Sequence, residues 1–182
     1  SGKSIFFYDF SSNGIYFNNA FVCSFNNSSG IVTNKRLVFS TSDFPLINIY
    51  PYNSEFSPND SLLYITAGSS TIGSYNSILQ FKLFLPNPGI NPIELFNVVQ
   101  RNYLQLAPDG KIYITGYNSS IISCITRPDE VSFGCNFVYN YMNVAPNLAS
   151  GGLPSNSAPL RRLKFITNAF TPSSCIADSV KL

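Results

Sequence analysis

The sequence contains no histidine and no tryptophan, and only one methionine. Without histidine, a histidine general base, a histidine metal ligand and a Ser-His-Asp triad are all excluded. Charge is scarce as well. Acidic and basic residues make up 11% of 182 residues, and 11 basic against 9 acidic side chains leave a net charge of +2. That balance offers no electrostatic footprint for nucleic acid. Arg161, Arg162 and Lys164 form the one basic cluster, which reads as a solvated edge rather than a phosphate site. No run of 18 apolar residues exists, so no membrane-spanning helix is expected. The four cysteines include no CxxC pair, which weighs against zinc. No cofactor is expected.

What is present is apolar and aromatic. Hydrophobic residues account for 45% of the chain and aromatics for 15%. This is no disordered composition, and Phe, Tyr, Ile and Val suit a pleated, half-buried surface. Helical periodicity is hard to find. Apolar runs are four to eight residues long and bounded by Asn, Gly, Pro or Ser, which is the signature of strands. The early candidates are SIFFYDF (4–10), AFVCSFN (20–26) and KRLVF (35–39). SLLYITA (61–67), SILQFKLF (77–84) and IELFNVV (93–99) follow. NYLQLA (102–107), KIYITGY (111–117), IISCITR (121–127) and CNFVYNYM (135–142) complete the set.

One phrase occurs twice. EFSPNDSLLYIT (55–66) returns as QLAPDGKIYIT (105–115). Each copy runs strand, tight turn, strand, loop, strand, loop, strand. Four antiparallel strands repeated at a spacing of tens of residues are the signature of β-propeller blades. The opening SGKSIFFYDF matches DGKIYITGY without the strand before it. The expected fold is therefore all-β: about three four-stranded antiparallel blades, the first lacking its innermost strand, as part of a larger propeller. The turns have a chemical basis. Pro108 presets φ, the Asp109 side chain bonds the backbone ahead, and Gly110 accepts positive φ. Pro58, Asn59 and Asp60 repeat the turn without the glycine, so strain or another turn type is expected there.

The order SGKSIFF…NGIYF…FNNSSGIVTN, EFSPNDSLLYIT…ILQFKL, LQLAPDGKIYIT…IISCITRPDEVSFGCNF and GGLPSN resembles one family. These are the amino-terminal β-propeller regions of large secreted proteins of gliding bacteria. The resemblance covers roughly residues 1–157. Its most specific parts are QLAPDGKIYI, Cys135 before Asn-Phe, and Gly152-Leu153-Pro154. It implies a continuation into PKD or immunoglobulin-like repeats and a sorting domain of the type IX secretion pathway. Three positions depart from the family: Asp60 replaces a glycine, GLPSN replaces GLPNF, and Cys124 replaces an aliphatic residue. Residues 158–182 resemble a linker and the first strand of a following module, in which Cys175 would pair with a cysteine further along. The chain, which opens directly on a strand-like run without Met, reads as a piece of a longer protein.

Few side chains stand out for chemistry. Cys124 and Cys135 fall on neighbouring predicted strands, and a disulfide clipping that hairpin would stabilise it by roughly 2–3 kcal/mol. Two buried thiols are the alternative, and a buried thiol is expected for Cys23. Asp129 and Glu130 are adjacent in a loop and point apart in extended chain, which makes them a poor acid/base pair. Glu55 precedes a turn on an inner strand and is the one carboxylate placed to face a central channel, for an ion or a ligand. Tyr50, Tyr52, Tyr103 and Tyr117 lie near strand ends. Exposed there they would suit sugar or peptide binding; packing between blades is the other reading.

These observations point to a non-enzymatic binding or scaffold module of an extracellular, outer-membrane-associated surface protein, serving adhesion, gliding motility or secretion. Its expected partners are further blades of the same polypeptide or other subunits of a cell-surface assembly, with a glycan or a protein as ligand. The alternatives are a propeller-type glycosidase or lyase, which needs two convergent acids that the sequence does not offer, and a purely structural spacer.

Overall fold

The computed structural model describes residues 3–10, 17–40, 49–69, 76–84, 93–98, 102–149 and 152–153. These residues form eleven strands in three antiparallel sheets. The first sheet is β1 (Lys3–Phe10), β2 (Phe17–Phe25) and β3 (Val32–Ser40), paired in that order. The second is β4 (Ile49–Phe56), β5 (Leu62–Ser69), β6 (Asn76–Lys82) and β7 (Ile93–Val98). The third is β8 (Asn102–Leu106), β9 (Ile112–Gly116), β10 (Ile121–Ile125) and β11 (Phe137–Asn143). A 3-10 turn at Ser132–Cys135 is the one helical element among the described residues. No described helix is long and apolar enough to cross a membrane. Each sheet is a meander in which consecutive strands pair, so every connection is local.

The sheets stack face to face, with the second in the middle. Side chains alternate across a strand, and β5 shows the consequence: Leu63, Ile65 and Ala67 join Leu79, Phe81 and Leu83 in a core shared with Ala20, Val22, Val38 and Phe39 of the first sheet. Phe39 and Phe81 stack across that layer with ring centroids 4.9 Å apart. On the opposite face Leu62, Tyr64 and Ile78 meet Leu104, Ile112, Ile114 and Ile125 of the third sheet. With both faces covered, every residue from Leu62 to Gly68 is buried. That accounts for the unbroken apolar run SLLYITA, since a strand with one wet face would alternate.

The repeated turns adopt related conformations. Gly110 has φ +77° and Asp60 has φ +58°. In each, the third turn residue donates its amide back to the residue before proline: Asp60 to the Ser57 carbonyl at 2.9 Å, Gly110 to the Ala107 carbonyl at 3.0 Å. Asn59 Oδ1 accepts from the Ser61 amide at 2.9 Å, and Asp109 Oδ1 from the Lys111 amide at 3.2 Å. The first turn is one residue wider, because Ser57 donates to the Leu62 carbonyl whereas Ala107 donates to the Lys111 carbonyl. Asp60 is therefore not a substitute for glycine within one identical loop. Aspartate is among the few side chains that tolerate the left-handed region.

The disulfide expected between Cys124 and Cys135 is absent: both are buried free thiols, as is Cys23. Register explains the correction. Cys124 lies opposite Tyr113 and Val138. Its neighbour Ile125 packs with Cys135 in the core between the second and third sheets. Adjacent strand residues face opposite ways, so Cys124 points away from Cys135. Cys175 and residues 158–182, with Arg161, Arg162 and Lys164, lie outside the described residues.

Candidate functional site

Three polar constellations stand on this scaffold. The first joins the edge strands of the second and third sheets. β4 and β8 lie side by side, and an edge strand presents amides that its own sheet does not use. Asn53 Oδ1 accepts from the Leu104 amide at 2.7 Å, and Glu55 Oε2 accepts from the Leu106 amide at 2.9 Å. Two side chains two residues apart thus meet two amides two residues apart. The pairing order, 53 to 104 and 55 to 106, means that β4 and β8 run parallel. Glu55 Oε1 also accepts from the Phe56 amide at 3.1 Å. Burial raises the Glu55 pKa above the ordinary carboxylate value, and the two amide bonds oppose that rise. The carboxylate expected to face a channel is thus committed to backbone amides.

The second constellation is internal. The hydroxyl of Tyr64 donates to the Pro128 carbonyl at 2.8 Å and accepts from Gln80 Nε2 at 2.8 Å. The same Nε2 donates to the Glu130 carbonyl at 3.0 Å, and Gln80 Oε1 accepts from the Ser132 amide at 2.7 Å. Tyr64 and Gln80 are both fully buried. Together they hold the loop between β10 and β11 against the middle sheet. Asp129 fastens its outer side by accepting from the Asn59 amide at 3.1 Å. Burial raises the Tyr64 pKa, with the neighbouring Cys135 adding to the effect. Burial likewise pushes the Cys124 thiol up to about 11 and raises that of Cys135. These groups stay protonated at neutral pH and serve packing and hydrogen bonding rather than nucleophilic chemistry.

The third is an open cleft of about 340 Å³ where the first sheet meets the turn between β4 and β5. Its polar lining comes from Ser4, Ser24, Asn34, Arg36, Asp60 and Ser61, and Phe84 stands at its wall. The Arg36 Nη2 donates to the Leu83 carbonyl, which fixes the guanidinium across the junction between sheets. Asn34 Nδ2 donates to Ser24 Oγ at 3.4 Å. Asn34 and Asp60 both hold positive φ, +54° and +58°.

The tyrosines do not converge on this cleft. Tyr52 on β4 is exposed, Tyr117 follows β9 and is exposed, and Tyr103 on β8 is half-buried beneath Gly152. The side chain of Tyr50 lies outside the described residues. On the third sheet Asp109 Oδ2 accepts from Lys111 Nζ at 3.0 Å and from the Tyr113 hydroxyl at 2.9 Å. Desolvation alone would raise the Asp109 pKa, but these bonds outweigh it and lower the value. Among the described residues no group of three or more Cys, Asp or Glu is placed to hold a metal ion. Sequence reasoning passed over Asn53, Gln80 and Arg36. The legible signal was for Gln80, an amide within an otherwise apolar strand.

No protein-family model matches the chain, and no curated protein matches it either.

Proposed function

We propose that the three stacked sheets are consecutive blades of a β-propeller. In this reading the chain is a non-enzymatic binding or scaffold module of a secreted cell-surface protein, in a setting of adhesion, gliding motility or type IX secretion. The observation that carries the reading is the middle sheet, which is buried on both faces by meanders of the same strand order, with parallel edge strands β4 and β8 strapped together at its inner side. Radial repetition of one such unit is the construction principle of a propeller. The first sheet keeps an apolar outer face. Phe7 and Phe21 stack there at 5.3 Å, Lys35 Nζ lies 3.8 Å from the Phe21 centroid, and Leu37 is exposed. A further blade of the same polypeptide, or another subunit, would cover that face. The enzymatic alternative draws less support, because Glu55, Asp109 and Asp129 each accept hydrogen bonds in separate places. The spacer alternative leaves the polar cleft without a use.

The test is the solution mass of residues 1–182 by light scattering, together with binding of a hydrophobic dye. Self-association with dye binding is expected, and both should disappear when flanking native sequence is added. A stable, monodisperse, dye-negative monomer would overturn the reading.

A further inference from the structure

We infer that the edge of β1 facing away from β2 is a strand-accepting site, whose occupant is an extended segment with hydrogen-bond-accepting side chains at two alternate positions. The inference deepens the binding-module reading and rests on its blade part. The sheets are unequal. Among the described residues the second and third have four strands each and the first has three. In each four-stranded sheet the first strand, β4 or β8, leads through a proline turn into the second. β4 and β8 lie side by side, whereas no described strand of the first sheet lies along β4 in that way. β1 therefore holds the second place in its sheet, that of β5 and β9. The sequence agrees, since Gly2-Lys3 leads into the apolar run of β1 as Gly110-Lys111 leads into that of β9. β1 pairs with β2 alone among the described strands. Such an edge is a template on which an extended segment can add a strand.

The strap between the other two sheets sets the chemistry of the occupant. Asn53 and Glu55, two residues apart on β4, accept from the Leu104 and Leu106 amides of β8 at 2.7 and 2.9 Å. In the repeated phrase Ser54 and Phe56 of β4 stand where Leu104 and Leu106 stand in β8. A segment seated between β1 and β4 would face those two positions at the same spacing. Its side chains at two alternate positions must then be acceptors: Asn, Asp, Gln or Glu. Phe56 shows the difference between the two junctions. Its amide is met from within its own strand, by Glu55 Oε1 at 3.1 Å, whereas the Leu106 amide is met from the neighbouring sheet. Direction follows as well. The segment runs antiparallel to β1, as β4 does to β5, and parallel to β4, as β4 does to β8. Backbone bonds to β1 supply affinity for any extended segment, and the paired acceptors supply specificity.

The experiment extends the full 182-residue chain with a strand it already uses. Residues 49–58, IYPYNSEFSP, are copied ahead of Ser1. The junction then reads Ser-Pro-Ser-Gly-Lys, close to Ser57-Pro58-Asn59-Asp60-Ser61. Covalent attachment supplies the high effective concentration that a free peptide lacks. Hydrogen exchange read by mass spectrometry should show the fragment containing Ser4–Phe7 slowed about ten-fold relative to the unextended chain, with β11 unchanged, and the urea midpoint should rise. A second extension, with alanine in place of the residues copied from Asn53 and Glu55, should lose most of that midpoint gain. Unchanged exchange at Ser4–Phe7, protection appearing at the edge of β3, β7 or β11 instead, or equal effects of the two extensions would overturn the inference. Light scattering and dye binding of the unextended chain read the outer face of the first sheet rather than its edge, so failure here leaves the blade reading intact.

Discussion

Replacing Tyr64 by phenylalanine removes one oxygen from the interior and changes little else in volume. That oxygen makes two buried hydrogen bonds, donating to the Pro128 carbonyl and accepting from Gln80 Nε2, both at 2.8 Å. A typical intramolecular hydrogen bond contributes about 0.5–1.5 kcal/mol net, and a buried group left without a partner costs about 1–3 kcal/mol. Gln80 Nε2 keeps its bond to the Glu130 carbonyl, so the larger cost falls on the Pro128 carbonyl in a buried residue. A loss of about 2–3 kcal/mol follows, corresponding to a fall in Tm of about 5–10 °C for a domain of this size. Urea unfolding followed by far-UV circular dichroism measures it as a shift in midpoint at constant slope. Gln80→Met removes the other side of the same bond. The double variant should therefore cost less than the two single variants together. A Tyr64→Phe loss under about 0.5 kcal/mol would refute the claim that this clamp holds the β10–β11 loop in place.

Gly110→Val should destabilise by about 1–2 kcal/mol in the same assay, a purely conformational cost because a Cβ there meets nothing within 4 Å while φ is +77°; an unchanged midpoint would refute the turn. Burial raises the Glu55 pKa against its two amide bonds, so its share of stability is complete below the ordinary glutamate value of about 4.3 and is lost as pH rises through the raised value. Glu55→Gln should flatten the urea midpoint against pH over that window, and an identical profile would refute the assignment. In a Cys175→Ser background, alkylation at pH 8 mapped by mass spectrometry should leave Cys124 and Cys135 unmodified until urea is added, since Cys124 titrates only at about 11 and both thiols are buried. Rapid labelling of either in the native chain would count against their burial.

Much of the all-β architecture was legible because the strands are local and their cover is uniform. SLLYITA reads as a strand with two buried faces, and β5 has them. The strand least legible was β4. Its sequence, IYPYNSEF, carries a proline and several polar residues, and the pairing with β5 slips between Pro51 and Asn53. An edge strand tolerates both features, because one side of its backbone owes nothing to its own sheet. The cysteines failed for a different reason. Sequence spacing placed Cys124 and Cys135 across a hairpin, but a 3-10 turn and left-handed Ser132 and Asn136 carry Cys135 into the core between sheets. No local pattern encodes that swing. The cleft was illegible by construction, since Ser4, Asn34 and Asp60 are far apart in the chain and meet only when two sheets stack.

The placement of Glu55 bears on where recognition can occur. A carboxylate ahead of a turn invites the reading of a ligand contact, yet on the edge strand β4 it spends both oxygens on amides. The edge explains why. β8 offers the Leu104 and Leu106 amides away from β9, and a buried amide without an acceptor is costly. Strand-to-strand pairing between sheets would fuse them into one and abolish the stacking. Side-chain acceptors on β4 satisfy the amides while keeping the sheets separate, and acceptors at alternate positions match amides at alternate positions. An alanine at 53 or at 55 would leave an amide wanting. The facing edges of β4 and β8 are thereby committed to holding neighbouring sheets in register.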